Sequence, residues 1–229
     1  MIVIAEPLKL NLKLLKSRLR MDDSDTGLLS ELMQLVTEAE SIGKPKGLYR
    51  PAYIESKGDD YVEIEGQRFQ SRVMRVNLEQ AHRVFLYTAT CGVELEQWSN
   101  TMTDPLHQFW ADAIKVESLT IAFDTMNKHI VQSYHPGKSA TMSPGSLSDW
   151  PITEQRKLFI LLGDTQELVG VQLTESMLMV PTKSISGIRF PTEIDFQSCE
   201  LCPREVCSGR RAPYDAELYQ RKYKLRIKS

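Results

Sequence analysis

Residues 83–90 read Arg83-Val84-Phe85-Leu86-Tyr87-Thr88-Ala89-Thr90. After Arg83 no charged group interrupts the run. A strand with one wet face alternates polar and apolar residues, whereas a strand covered on both faces does not. The stretch therefore predicts a central strand with helices on both sides. The chain on either side supplies its neighbours. Upstream, 61–65 and 67–70 flank Gly66 with Val62, Ile64 and Phe69 in alternation, a hairpin pattern. Residues 48–54, rich in Tyr and aliphatics, predict another strand. Before them, Asp25 is placed to cap a helix whose Leu29, Leu32, Met33, Val36 and Ala39 form one stripe. Gly43 and Pro45 end it. Residues 8–20 are amphipathic, with helix expected in the second half.

Downstream, Asp104 and Pro105 suit the N-cap and first position of a long helix. Phe109, Ala113, Val116, Leu119, Phe123, Met126 and Ile130 follow at steps of three and four, and the helix stops before His135-Pro136-Gly137. A strand at 138–142, a turn at 143–146 and a helix at 152–162 come next. Residues 171–179 alternate like a strand, Pro181-Thr182 turns the chain, and 184–190 returns. Hairpin-like connections of this kind predict an α+β fold, a twisted, largely antiparallel sheet with packed helices.

The chain has 229 residues, with 28 Lys+Arg against 30 Asp+Glu. That length buries a large core without staples, and the balanced charge argues against nucleic acid as the partner. No run reaches the roughly 18 apolar residues of a membrane span, and residues 1–21 lack the pattern of a signal peptide. A cytoplasmic location is expected. The charge is uneven: Arg210, Arg211, Arg221, Lys222, Lys224, Arg226 and Lys228 face only Asp215 and Glu217 in the last 22 residues, a net +5. The sequence divides into a body, 1–195, and a basic, cysteine-containing tail, 196–229.

Three of the four cysteines fall in that tail, as Cys199-Glu-Leu-Cys202-Pro-Arg-Glu-Val-Cys207. A CxxC step lets two thiolates grip one metal from a single turn, and a third can return after a short loop. Zinc and iron–sulfur clusters alike want four protein ligands in a closed site. Cys91, at the end of the central strand, is the expected fourth. The spacing does not choose between zinc and iron–sulfur. Elsewhere, Ser143, Pro144, Gly145 and Ser146 form a Pro-Gly turn that can offer backbone N–H groups to a ligand. Glu175 is the charged residue on the otherwise apolar face of 171–179, so it needs a partner. No Walker, GxGxxG or GxSxG motif is present.

Residues 141–190 carry a resemblance. Ser143-Pro-Gly-Ser146, Pro151-Ile-Thr-Glu-Gln155, Val169-Gly-Val-Gln-Leu-Thr-Glu-Ser176, Met179-Val-Pro181 and Lys183-Ser-Ile-Ser-Gly187 resemble the activation (reactivation) domain of cobalamin-dependent methionine synthase. The strand at 83–90 and the Cys91-Gly92-Val93-Glu94-Leu95-Glu96 that follows are similar to a strand–turn–helix of that family. The cysteine tail suggests its free-standing relatives. In the family, this domain binds S-adenosylmethionine, docks over the cobalamin, and lets cob(II)alamin be reduced by flavodoxin and remethylated.

The family's ligand turn, Arg-Pro-Ala-Pro-Gly-Tyr, here reads Thr141-Met142-Ser143-Pro144-Gly145-Ser146. Pro-Gly survives, Thr141 stands for the Arg and Ser146 for the Tyr, and a family Glu falls at Ile121. Losing an Arg–carboxylate fork weighs against tight S-adenosylmethionine binding. The resemblance thus implies an accessory for corrinoid chemistry that docks on a cobalamin-carrying methyltransferase or corrinoid protein. Cobalamin belongs to the partner, since the Asp-x-His-x-x-Gly string is absent. An iron–sulfur cluster on the tail would take the place of flavodoxin. The alternative is a non-redox binding module whose tail is ordered by zinc. No catalytic residue is assigned to the chain.

Overall fold

The computed structural model describes residues 1–22, 24–193, 195–207 and 210–224. Arg226 and Lys228 of the basic tail lie outside them. The chain opens with β1 (Ile2–Ala5), α1 (Leu12–Leu19) and α2 (Thr26–Ile42). As expected, Asp25 caps α2, accepting from Leu28 N–H at 3.0 Å. A long β2 (Lys46–Lys57) follows, then the hairpin β3 (Tyr61–Ile64) and β4 (Gln67–Gln70). Glu65 and Gly66 both take positive φ in its two-residue turn, the conformation such a turn requires. Next come α3 (Arg72–Asn77), β5 (Arg83–Thr90), α4 (Val93–Asn100) and α5 (Pro105–Tyr134). The Asp104 carboxylate accepts from the N–H groups of Leu106 and His107, and His135 closes α5 in the left-handed conformation. The remaining elements are β6 (Ser139–Met142), α6 (Gln155–Leu162), α7 (Thr165–Val169), β7 (Gln172–Leu173), β8 (Met179–Val180) and β9 (Ser184–Pro191).

The main sheet runs β4-β3-β2-β5-β9-β6, and β1 pairs with the first half of β2. Every pairing is antiparallel. The Arg83–Thr90 strand sits inside the sheet, and from Val84 onward it is buried on both faces. One face meets α5, where Tyr49, Phe85 and Tyr87 pack on Met126 and Ile130. The other meets α3 and α6, with Leu48, Leu86, Ile188, Trp150 and Leu158 at its centre. Phe196 and Tyr223 bring the tail onto that same core. No helix among the described residues is long and apolar enough to cross a membrane.

Two expectations need correction. Residues 171–179 are not one strand: β7 and β8 are two residues each, joined by a turn in which Met177 has positive φ. The Thr174 hydroxyl accepts from Leu178 N–H at 3.1 Å, which closes that turn. Of the expected apolar face, Val171 and Met177 are buried and Met179 packs on the core, while Glu175 is exposed. The apolar stripe of α5 starts later than expected: Phe109 is exposed and Trp110 is buried instead, while Ala113, Leu119, Phe123, Met126 and Ile130 of the stripe pack on the core.

α5 also buries Glu117. One carboxylate oxygen accepts from Asn11 N–H, and the other has no partner among the described residues. Burial raises its pKa above the usual carboxylate range, against the pull of that hydrogen bond and of Arg18. A carboxyl raised on folding supports the fold fully when protonated, below its unfolded value of about 4.3, and that support is lost as pH rises through the folded value. Glu117→Gln keeps the acceptor for Asn11 and removes the charge. It is expected to be more stable than wild type at pH 7, with the gain shrinking towards pH 4. Urea midpoints at the two pH values measure this, and a less stable variant at pH 7 would sink it.

Candidate functional site

The ligand-turn candidate grows out of the sheet edge. β6 pairs only with β9 and leads directly into the 143–146 turn. Ser146 N–H donates to the Ser143 carbonyl at 3.1 Å. Gly145, at φ +79°, donates its N–H to the Trp150 carbonyl at 2.8 Å. Pro144 has no N–H. The loop thus consumes the Gly145 and Ser146 donors that were expected to face a ligand. What it offers instead is side-chain hydroxyl.

Behind the turn, the β6–β9 edge of the sheet carries polar groups. Thr141 on β6 stands directly opposite Arg189 on β9, which in turn stands opposite Phe85 on β5. The Tyr87 hydroxyl lies 3.5 Å from the Ser143 hydroxyl. Gly187 makes that approach possible: a Cβ there would fall 2.3 Å from the Met142 carbonyl and 2.7 Å from the Tyr87 hydroxyl. Burial pushes the Tyr87 pKa up, against the Ser143 and Thr141 hydrogen bonds and the nearby positive charges of Arg211 and Arg189. Arg189 donates to Asn127 Oδ1 of α5 at 3.0 Å. Its Nε is sealed from solvent and has no acceptor among the described residues. Burial lowers the Arg189 pKa, and the only opposing influence is Tyr87, not a carboxylate. Beside Asn127 a shallow cavity of about 340 Å³ opens on α5, lined by Asp124, Lys128, Val131 and Gln132.

Glu175 does not join this group. It is exposed in the turn between β7 and β8, where its backbone carbonyl accepts from Arg156 at 3.0 Å. The four cysteines do not converge either. No cluster of three or more potential metal ligands occurs among the described residues. Cys91 is buried with Leu8, Leu15, Trp110 and Ile114 in the helical layer at the far end of β5. Burial, and then the Glu96 charge, push its thiol up to about 12. Tyr223, near the end of the described tail, bonds Asn77 through its hydroxyl at 3.2 Å just before β5.

Cys199 and Cys202 belong to one tight turn, with Cys202 N–H on the Cys199 carbonyl at 3.2 Å, and Cys207 is exposed. The Arg210 guanidinium gathers the carbonyls of Cys199, Cys202, Arg204 and Ala212. Burial acts to raise the Cys199 thiol, but the Arg211 and Ala212 N–H groups and the Arg211 charge hold it below the ordinary thiol value. Among the described residues the cysteines do not make a closed metal centre.

Tyr87, Asn127, Gly187 and Arg189 were not expected as site residues. The one signal was Arg189 itself, a charged residue at an inward position of an otherwise uncharged strand, Ser-Ile-Ser-Gly-Ile-Arg-Phe-Pro.

Comparison with known proteins gives two findings. Residues 124–196 match the family model for the activation domain of vitamin B12 dependent methionine synthase. The matched span takes in the second half of α5, β6, the 143–146 turn, α6 and β9, so it contains the polar group just described except Tyr87. Among solved structures, the chain is similar to the MetH reactivation domain bound to AdoHcy. The TM-score is 0.63 at 14 % identity, covering 85 % of this chain and 80 % of that one. None of the curated proteins matches the chain in sequence. The resemblance drawn from residues 141–190 is borne out, and the fold is that of the MetH reactivation domain.

Proposed function

We propose that the chain is a cytoplasmic accessory of corrinoid-dependent methyl transfer. It docks on a separate cobalamin-carrying methyltransferase and supports its reductive reactivation. The observation that carries this reading is the activation-domain match over 124–196, because that span is also where the polar site lies. The AdoHcy held by the structural relative supports an S-adenosyl ligand for this chain. The basic tail adds an electrostatic steer towards an acidic partner surface.

The test combines capture and turnover. Tagged protein, purified anaerobically from its own cells, is expected to retain a partner with cobalamin absorbance. Added to that partner in the cob(II)alamin state, with a low-potential reductant and S-adenosylmethionine, it is expected to speed formation of methylcobalamin. No corrinoid protein captured and no acceleration would refute the reading. The tail cysteines are tested separately. Anaerobic protein carrying iron–sulfur absorbs broadly near 400 nm and bleaches on dithionite, and Cys202→Ser is expected to abolish this while the sheet survives. A colourless, zinc-containing protein would instead support the non-redox binding module.

A further inference from the structure

We propose that Cys199 and Cys202 form a dithiol that exchanges with small, carboxylate-bearing disulfides, Cys199 being the attacking sulfur and Cys202 the resolving one. The inference goes beyond the corrinoid reading and does not rest on it. Ser198–Leu201 make one 3-10 turn with Cys202 at its end. Side chains three apart in such a turn eclipse each other, which puts the two thiols on one side. The Cys202 N–H closes the turn on the Cys199 carbonyl. A four-residue turn holds its end Cα atoms within about 7 Å, which is the reach of a disulfide bridge. One guanidinium fixes both ends: Arg210 Nη1 donates to the Cys199 carbonyl at 3.2 Å and Nη2 to the Cys202 carbonyl at 3.3 Å. The surroundings then distinguish the sulfurs. Cys199 Sγ accepts the Arg211 N–H at 3.4 Å, and no backbone N–H reaches the sulfur of Cys202 or Cys207 among the described residues. That donor supports the negative charge an attacking sulfur carries, and the Arg211 cation favours a disulfide bearing carboxylates. In the exchange, the Cys199 thiolate attacks one sulfur of the external disulfide, whose S–S bond breaks and releases one thiolate. Cys202 then attacks the Cys199 sulfur of the mixed disulfide, releases the second thiolate and closes the Cys199–Cys202 bond. Two protein thiols are oxidised, and their electron pair and two protons leave with the two external thiols.

The probe is glutathione disulfide, offered anaerobically to the reduced full chain at set ratios with glutathione. Acid quenching, alkylation of the unfolded chain and tryptic mass mapping read the result. Cys199 and Cys202 share one tryptic peptide, 190–204, and Cys207 falls in the next, 205–210. Peptide 190–204 is expected to lose two hydrogens as an internal disulfide while Cys91 and Cys207 remain open to alkylation. Exposure alone would make Cys207 react first, since it is the more exposed thiol. Cys199 is instead expected to react at least about tenfold faster than Cys207. In Cys202→Ser the reaction should stop at a glutathione adduct on Cys199, and in Cys199→Ser the adduct on Cys202 should form at least about tenfold more slowly. Modification of Cys207 ahead of Cys199, a dominant bridge from Cys207 to either cysteine, no disulfide at any ratio, or thiols kept unreactive by a bound zinc ion or iron–sulfur cluster would each overturn the assignment. None of these outcomes bears on docking, which the corrinoid capture tests by itself.

Discussion

Trp150→Ala is expected to cost about 3–5 kcal/mol of stability, the range for deleting a fully buried large aromatic side chain. Trp150 has no exposed surface and meets Phe69 edge to face, with ring centres 6.2 Å apart. It also holds the ligand turn from behind. Its N–H donates to the Leu147 carbonyl and its carbonyl accepts from Gly145 N–H, so the indole pins a loop whose own backbone ties end on the same residue. Truncation leaves a cavity under that loop, and β6, which pairs only with β9, loses the weight that keeps the turn closed. Urea unfolding followed by circular dichroism gives the stability, and for a chain of this size the melting point should drop by about 2–4 °C per kcal/mol. Trp150→Phe keeps a ring and discards an indole N–H that has no partner among the described residues, so it should cost less than about 1.5 kcal/mol. A loss below about 1 kcal/mol for Trp150→Ala would show that the turn does not depend on the indole.

The parts of the fold that read correctly from sequence are those whose cause is local. Val84 to Thr90 is apolar because both faces are covered, and Asp104-Pro105 starts a helix wherever it stands. The short α3 and α7 went unread. Each is nucleated by one cap, Ser71 or Asp164, too brief for an apolar period to show. The α5 stripe departs from expectation only at its start, where Phe109 faces out and Trp110 faces in; from Ala113 it packs first on α1 and α2 and then, through Phe123, Met126 and Ile130, on the sheet. The site divides the same way. Ser143 and Gly145 announce a turn, but whether its N–H groups face a ligand depends on Trp150, five residues on. Arg189 gains its meaning from Thr141 and Asn127, which lie 48 and 62 residues away and are brought beside it only by β6 and α5.

The second large effect is expected at Glu96. Its carboxylate on α4 meets Lys115 on α5 at 3.0 Å, and both side chains are nearly sealed, at 13 % and 9 % exposure. The same carboxylate accepts from Thr182 N–H at 3.2 Å and from its hydroxyl at 3.1 Å, which ties both helices to the entry of β9. Glu96→Ala leaves the Lys115 ammonium buried without its partner and should cost about 3–5 kcal/mol. Glu96→Leu with Lys115→Met removes both charges and should recover most of that loss, because a hydrophobic pair of similar volume is often neutral in such a place. The pH dependence follows from the same geometry. Burial alone would raise the Glu96 pKa, but the Lys115 and Thr182 contacts outweigh it and hold it below the usual carboxylate value. A carboxyl depressed on folding supports the fold above its unfolded value of about 4.3, and that support is lost as pH falls through the folded value. Wild type should therefore lose stability more steeply than the double variant between pH 5 and pH 3, opposite in sign to the contribution of Glu117 on α5. Urea midpoints across that window decide it. A double variant as unstable as Glu96→Ala would show that the lost Thr182 contacts, and not the stranded ammonium, set the cost.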